Sequence, residues 1–280
     1  MAVPEDWMGA RPQEPIDLHT DRPHAARVYD VLLGGKTNYP ADREAAEQTL
    51  VSLPNAATIA RQNRGFMHRA ARYLADQAGI RQFLDIGTGI PTSPNLHEIA
   101  QATVPKARIV YADNDPIVLA HSRALHTSHP EGRTAYIQAD LGRPQEILRD
   151  ATLRDTLDLD EPVALTLIAV LHWLPPERDV HAVVRELMDA FAPGSYLALT
   201  YATADFEPQA LQEISDNFES KGSHVRARPR AEVLRLFDGL ELVDPGLTVV
   251  HRWRPDPVEI GADSLSDADI PLYAGLGRKG

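Results

Sequence analysis

The sequence predicts an α/β fold: a mostly parallel β-sheet with helices on both faces, preceded by a helical N-terminal region. Three observations indicate this class. From residue 82 onward, short apolar runs alternate with helical patterns, the order expected of parallel strands joined by crossover helices. The first run, 82–86, leads through the turn Gly87-Thr88-Gly89 into a helical pattern. The run at 163–170 is the most continuously apolar, as expected for a strand at the buried centre of such a sheet.

Composition narrows the class of protein further. The 280 residues suffice for one large α/β domain, and 43% hydrophobic with 24% charged residues is ordinary for a globular protein. No run approaches the ~18 apolar residues of a membrane span, and a net charge of −12 argues against a nucleic-acid partner. The absence of cysteine excludes disulfide and thiolate chemistry. Because the first residues lack a signal-peptide pattern, we expect a cytoplasmic protein.

Before the first strand, the sequence predicts a lead-in and a helical cap. Residues 1–20 contain prolines and no hydrophobic period, which predicts a flexible lead-in. Residues 21–80 predict a cap that covers one sheet face or forms a lid. Its helices are predicted from Pro23 to Gly34-Gly35, after Pro40, and over 57–78. Residues 81–280 are predicted to form the core, as one structural unit with the cap.

The core alternates strands and helices and ends in two further strands. Strands are predicted at 82–86, 108–112, 134–138, 163–170 and 195–201. Helices are predicted at 95–102, 116–126, 144–150, 179–191, 207–218 and 231–237. The last two strand candidates, 240–253 and 270–277, flank a polar, turn-rich interval. We therefore expect them to pair antiparallel at a sheet edge.

Candidate binding residues follow the strand ends, because ligands of an open parallel sheet bind beyond the carboxyl ends of its strands. The glycines of the first turn let the backbone pass close beneath a ligand. With no lysine at the end of this turn, Asp85 suits a cationic ligand better than a phosphate. Asp113, after the second strand, can accept from both hydroxyls of a ribose. Asp140, after the third, can accept from an exocyclic amine such as that of adenine. Together these residues indicate a positively charged nucleoside.

Each of these residues also has a purely structural interpretation. A lone Gly-x-Gly is often only a turn, and an acid at a strand end can be a turn former or a helix cap. His172, after the fourth strand, is either a buried, hydrogen-bonded histidine or a group at a reaction site. The run Gly34-Gly35-Lys36-Thr37 mimics the tail of a phosphate-binding loop. It follows a helical pattern, however, and Asp30 stands where that loop needs a glycine.

The segments FLDIGTG, YADNDP, QADL and AVLHWLPP, in this order and spacing, resemble the class I S-adenosylmethionine-dependent methyltransferases. The run ARVYDVLLGGKTN, the pair Asn63-Arg64 and the ending YAGLGRK look like an actinobacterial branch of these enzymes, the DUF574 family of unknown function. The resemblance covers the chain from about residue 17. It implies a Rossmann-like class I methyltransferase fold. The sheet would be seven-stranded and mostly parallel with its last strand antiparallel, plus the N-terminal helical extension.

The resemblance also implies S-adenosylmethionine as the cofactor and suggests its contacts. By this resemblance, Gly87 and Gly89 lie beneath the cofactor. Asp85 lies near the amino group of its methionine part, and Arg64 contacts the carboxylate. Asp113 binds the ribose, and Asp140 with the Leu141 backbone binds the adenine. Tyr29, Gly34 and Asn38 form a lid, and Asn114, Ala169 and Val170 complete the predicted cofactor-binding set. Pro91 stands where many members carry a third glycine, so the loop to Asn95 can follow its own path.

The implied activity is methyl transfer to a small-molecule acceptor, with His172 as the candidate catalytic base and no metal site. The segment from Thr203 to Arg230 carries four basic residues, Lys221, Arg226, Arg228 and Arg230. These side chains either meet an acidic acceptor or form a solvated basic face. Two alternatives stay open. One is a protein that binds the cofactor without catalysis; the other is a nicotinamide-dependent oxidoreductase, because a glycine turn followed by an acid also suits a dinucleotide.

Overall fold

The computed structural model describes residues 18–256 and 265–280. Its centre is an eight-stranded sheet. The strands are β1 (Gln82–Ile86), β2 (Arg108–Asp113), β3 (Arg133–Gln138), β4 (Ala164–Leu167), β5 (Tyr196–Ala202), β6 (Leu240–Leu242), β7 (Thr248–Val249) and β8 (Leu272–Lys279). The lead-in predicted for residues 1–20 lies outside the described residues up to residue 17.

The strand order places the glycine turn at the middle of the sheet edge. The order is β3-β2-β1-β4-β5-β8-β6, with β1 to β5 parallel and β8 antiparallel to β5. All five residues of β1 are buried. Since β1 lies between β2 and β4, the winding direction reverses at β1. A crevice opens at such a switch point, beyond the carboxyl ends of the strands.

The predicted strand 240–253 is in fact two short strands. β6 pairs with the end of β8, and β7 pairs with Tyr273 and Ala274 near its start. Both lie on the edge of β8 opposite β5, because β5 already pairs with the same part of β8. Between them, Pro245 offers no N–H to the ladder, and Gly246 turns the chain with a φ of +81°. Eight strands therefore fill seven positions, and the last strand is antiparallel as expected.

Ten α-helices lie within the described ranges. They are α1 (Ala25–Leu32), α2 (Pro40–Ser52), α3 (Ala56–Asp76), α4 (Leu96–Thr103), α5 (Pro116–Leu125), α6 (Pro144–Arg149), α7 (Ala151–Thr156), α8 (Val180–Asp189), α9 (Pro208–Glu219) and α10 (Arg230–Leu234). Helix α7 was not predicted from the sequence. It begins directly after α6 because Asp150 accepts from the backbone N–H groups of Thr152 and Leu153. No helix in these ranges is both long and apolar enough to cross a membrane.

The long helix α3 is fixed against the core through its second half. Phe66 and Tyr73 pack edge-on against the buried indole of Trp253, with ring centroids 5.2 and 6.1 Å away. Arg69 donates to the backbone oxygens of Val250 and Trp253 at 2.9 and 2.8 Å. The first half of α3 thereby reaches the carboxyl edge of the sheet.

Helix α1 is attached to the core by a buried ion cluster. Arg27 is 1% exposed, and its Nε lies 3.6 Å from Asp42 Oδ1 of α2 and 3.5 Å from Asp115 Oδ2 at the start of α5. The guanidinium also lies over the Tyr39 ring, 5.4 Å from its centroid. One cation therefore joins the cap to the loop that follows β2.

Candidate functional site

A cavity of about 510 Å³ opens at the carboxyl edge of the parallel strands. Its wall contains twelve of the fourteen residues predicted from the sequence. These are Tyr29, Arg64, Asp85, Gly87, Gly89, Asp113, Asn114, Asp140, Leu141, Ala169, Val170 and His172. They come from the ends of β1 to β4 and from α1 and α3, so the fold brings together residues far apart in the chain.

The glycine turn forms the floor of the cavity. Gly87 has a φ of +76°, and a Cβ at this position would lie 2.4 Å from Val170 Cγ2. Gly89 has a φ of +70°, but a Cβ there would meet nothing within 4 Å. Gly87 is therefore required by close packing against the end of β4. Gly89 presents bare backbone to open space, the arrangement that a flat ligand needs.

Asp113 is held in place by two backbone donors. Its Oδ2 accepts from Gly89 N at 3.0 Å and its Oδ1 accepts from Asp115 N at 2.9 Å. Burial raises the pKa of this carboxyl. Each oxygen keeps a second lone pair, and a carboxylate with two free acceptor positions fits the paired hydroxyls of a ribose. Asn114 lies next to it on the cavity wall.

A buried carboxyl group, Asp85, and a half-buried guanidinium, Arg64, lie near each other in the cavity. Asp85 accepts from Thr166 Oγ1 at 2.5 Å, and burial raises its pKa to about 6 against the opposing effects of that bond and of Arg64. Arg64 donates to the backbone oxygens of Thr92 and Pro94, and burial lowers its pKa. A ligand with one ammonium and one carboxylate group matches this pair of charges.

Asn63 is a residue that the sequence analysis did not assign to the site. Tyr29 donates its O–H to Ala60 O at 2.9 Å and accepts from Asn63 Nδ2 at 2.9 Å. Burial raises the pKa of Tyr29 to about 12, so its hydroxyl stays protonated. These bonds fix the amide of Asn63, whose Oδ1 has no partner among the described residues. The signal in the sequence was the pair Asn63-Arg64, one of the segments that carry the family resemblance.

The remaining strand ends complete the wall. Asp140 Oδ1 accepts from Gly142 N at 2.8 Å, and its side chain is half-exposed beside the buried Leu141. Ala169 has a φ of +54° and donates its N–H to Thr200 Oγ1 at 2.8 Å. A non-glycine residue held in the left-handed region is uncommon and clusters at functional sites. Here it turns the chain so that Val170 reaches Gly87.

His172 lies in a short 3₁₀ helix after β4, Leu171–Trp173. Its ring packs against Trp173 and Tyr201, with centroids 5.5 and 5.9 Å away. Burial lowers the pKa of His172 to about 4, so the imidazole is neutral at physiological pH. Its Nδ1 has no hydrogen-bond partner within the described chain. Tyr201 lies behind the ring and does not line the cavity.

Gly34 and Asn38, predicted as lid residues, do not line the cavity. Asn38 Nδ2 donates to the buried Asp30 at 2.9 Å, and its Oδ1 accepts from Arg43 at 2.9 Å. Thr37 N also donates to Asp30, at 2.9 Å. The loop after α1 therefore folds around a carboxylate of its own helix, which turns its polar groups away from the cavity. A phosphate-binding loop would direct such donors at a ligand, whereas here Thr37 N and Asn38 Nδ2 donate to Asp30.

No group of three or more histidine or acidic side chains suited to a metal ion occurs in the described part of the chain. The cavity carries carboxylates at three successive strand ends, one half-buried guanidinium and a glycine floor. This donor set fits a cationic nucleoside with an amino-acid end, the chemistry of S-adenosylmethionine.

Comparisons with known proteins agree with this geometry. A family model described as S-adenosyl methyltransferase matches residues 11–280. A DUF574 family protein from Streptomyces avermitilis is 48% identical with a TM-score of 0.90, over 94% of this chain and 100% of that chain. A candidate methyltransferase from Thermobifida fusca is 40% identical with a TM-score of 0.85, over 96% of this chain and 99% of that chain.

A more distant likeness concerns the fold alone. The plantazolicin methyltransferase, solved in complex with S-adenosylhomocysteine, is 11% identical with a TM-score of 0.50, over 91% of this chain and 95% of that chain. No protein of curated function matches the chain.

Proposed function

Because the chain belongs to the S-adenosyl methyltransferase family, we propose that it is an enzyme that moves a methyl group from S-adenosylmethionine to a small-molecule acceptor. The fold is that of the class I methyltransferases, and S-adenosylmethionine is the cofactor. The observation that carries the proposal is the common cavity of the glycine floor, the strand-end carboxylates and Arg64.

Each part of the cavity suits one part of the cofactor. Asp113 would accept from the ribose hydroxyls, and Asp140 with the Leu141 backbone would meet the adenine. Asp85 would balance the ammonium group, and Arg64 the carboxylate, through charge-assisted hydrogen bonds. Gly89 would lie beneath the nucleoside, because its missing side chain leaves that space open.

The protein then has to position the acceptor and exclude water. The cofactor supplies a methyl group on a sulfonium, whose displacement by an acceptor lone pair leaves a neutral thioether. Alignment in a closed site therefore provides most of the catalysis. The neutral imidazole of His172 can accept the proton that the acceptor loses. With a pKa of about 4, it would pass that proton on to solvent at physiological pH.

Calorimetric titration tests the cofactor site. We expect S-adenosylmethionine and S-adenosylhomocysteine to bind, and NAD and ATP not to bind. Asp113→Ala should weaken binding by about tenfold or more, because it removes a charged acceptor, while Asp160→Ala on the exposed surface should leave it unchanged. Binding of NAD instead would favour the oxidoreductase alternative.

Turnover separates an enzyme from a non-catalytic binder. Once an acceptor is found by mass spectrometry of methylated products, His172→Ala should lower kcat and leave S-adenosylhomocysteine affinity within about twofold, since we place His172 on the acceptor side. Full turnover in this variant would remove the proposed role of His172. Cofactor binding with no methylated product from any acceptor would favour a sensor.

A further inference from the structure

The cavity continues beyond the cofactor side into an apolar chamber beneath the cap. The chamber is formed by side chains from α1, the end of α2, α9 and the loop after α9: Val28, Leu32, Leu53, Ile214, Phe218 and Val225. Four of these residues belong to one buried hydrophobic cluster, and Leu32 and Leu53 pack against it. Trp173, next to His172, packs edge-to-face on Phe218 with ring centroids 4.9 Å apart. The chamber therefore begins beside His172, in the 3₁₀ helix that follows β4.

The sheet order places this chamber on the acceptor side. The carboxylates proposed for the nucleoside follow β3, β2 and β1, which are neighbours in the sheet. His172 follows β4, on the other side of β1, and Ala202 at the end of β5 also lines the cavity. Neighbouring strands lie about 4.8 Å apart, so the two halves of the cavity are displaced sideways along the sheet edge. An acceptor in the chamber would approach from the β4 and β5 side.

The lining of the whole cavity contains four Asp or Arg side chains, which lie on α3 and at the ends of β1 to β3: Arg64, Asp85, Asp113 and Asp140. Among the described residues, α1, α2, α9 and the loop after α9 contribute no Asp, Glu, Lys or Arg to that lining. The basic residues after β5 are used elsewhere. Lys221 Nζ donates to Gln48 Oε1 at 2.6 Å, Arg228 pairs with Glu232, and Arg230 donates to Leu247 O at 3.0 Å. Arg226 is exposed and does not line the cavity. These contacts favour a solvated basic face over a binding site for an acidic acceptor.

Such a lining would discriminate between ligands by their charge. An anionic or cationic group buried there would lose its hydration and find no counter-ion, which is strongly unfavourable. A neutral apolar ring would gain by leaving water and by packing on Trp173 and Phe218. His172 lies at the entrance of the chamber. Its ring nitrogen Nδ1 has no hydrogen-bond partner among the described residues.

On the basis of the proposed methyl transfer, we propose that the acceptor is a neutral, mainly apolar ring compound with one hydroxyl or amine group, held in the apolar chamber with that group at His172. In the reaction, the acceptor oxygen or nitrogen bonds to the methyl carbon as the bond from that carbon to sulfur breaks. The acceptor proton passes to His172 and then to solvent. The cofactor leaves as neutral S-adenosylhomocysteine, so atoms and charge balance.

Two matched probes test the charge preference. Calorimetry would compare 2-naphthol, neutral at pH 7, with the anion 2-naphthoate, on the protein saturated with S-adenosylhomocysteine. We expect 2-naphthol to bind about tenfold or more tightly than 2-naphthoate. A preference for 2-naphthoate, or equal affinities, would overturn the inference. This comparison uses the wild-type chain and needs no variant to fold.

A variant pair locates the binding site. Ile214→Lys places a cation in the chamber, and Gln212→Lys places the same charge on the exposed face of the same helix. We expect 2-naphthol to bind about tenfold or more weakly to the first variant and unchanged to the second. Equal 2-naphthol affinity in both variants would show that the chamber is not the site.

Cofactor binding distinguishes the two levels of the proposal. If S-adenosylhomocysteine binds but the probes show no charge preference, the acceptor class is wrong and the proposed function stands. If S-adenosylhomocysteine does not bind, the proposed function fails, whatever the probes show.

Discussion

Asp85 offers a test in which stability and cofactor binding should change in opposite directions. The perturbation is Asp85→Asn, which keeps the shape of the side chain and removes its charge. Asp85 is 9% exposed, and burial raises its pKa from 3.8 to about 6. The folded protein therefore holds this proton more tightly than the unfolded chain does.

The pKa difference sets the expected magnitude. Stability from the protonated carboxyl is fully present below pH 3.8 and is lost as the pH rises through 6, because the folded state then carries a buried charge. A pKa difference of about two corresponds to a free energy of ~3 kcal/mol. We therefore expect the free energy of unfolding of the cofactor-free variant to exceed that of wild type by ~3 kcal/mol at pH 8. At pH 5 the gain should be smaller, ~1–2 kcal/mol, because there the carboxyl group of the folded wild type is mostly protonated.

Urea denaturation of both proteins at pH 5 and pH 8 measures the gain. Asp160→Asn, on the exposed surface, is the matched control and should show no pH-dependent difference. A gain of equal size at both pH values would refute the argument from burial. Destabilisation at pH 8 would mean that attraction between Asp85 and Arg64 outweighs the cost of burial.

Calorimetry on wild type and on Asp85→Asn measures the effect on cofactor binding. The wild-type affinity for S-adenosylmethionine should rise as the pH rises through 6, because the ammonium group requires the ionised carboxylate. The variant should bind about tenfold or more weakly, with no such rise. Unchanged affinity would place the ammonium group elsewhere in the cavity.

Three further substitutions test the glycine turn and the buried ion cluster of Arg27. Gly87→Ala should lower the free energy of unfolding by ~2–3 kcal/mol in a denaturant titration, because its Cβ would clash with a neighbouring side chain at 2.4 Å in a left-handed backbone. The added Cβ of Gly89→Ala meets no atom within 4 Å, so this change should lower the free energy of unfolding by only ~1 kcal/mol. It should nevertheless weaken S-adenosylhomocysteine binding, measured by calorimetry. Normal binding would mean that the cofactor does not cross this turn. Arg27→Met should destabilise by ~3–5 kcal/mol, since it leaves Asp42 and Asp115 buried without their cation; a loss below ~1 kcal/mol would show that this cluster does not anchor the cap.

Much of the fold could be predicted because its signals are local. The alternation of strands and helices, the glycine turn and the helix-ending glycines each depend on a few adjacent residues. The exceptions also have local causes that the hydrophobic pattern hides. The strand at 240–253 is interrupted at Pro245 and Gly246, and Asp150 starts a second helix where the pattern showed one.

The strand-end residues of the site could also be predicted. Parallel strands joined by crossover helices place all their carboxyl ends on one edge. The positions of Asp85, Asp113, Asp140 and His172 in the sequence therefore determined that they would meet at one cavity. The sequence did not reveal the contribution of Asn63, because its place depends on how α3 is rotated against the core.

The sequence by itself determined the fold class, the cofactor chemistry and the edge of the sheet that carries the site, because these follow from the order of local patterns along the chain. Only the tertiary structure decided that Tyr29 lines the cavity while Asn38 turns back to Asp30. It alone decided the raised pKa of Asp85, the lowered pKa of His172 and the apolar lining of the chamber. The physical reason is that burial and pairing depend on contacts between segments distant in sequence, and no local pattern encodes those contacts.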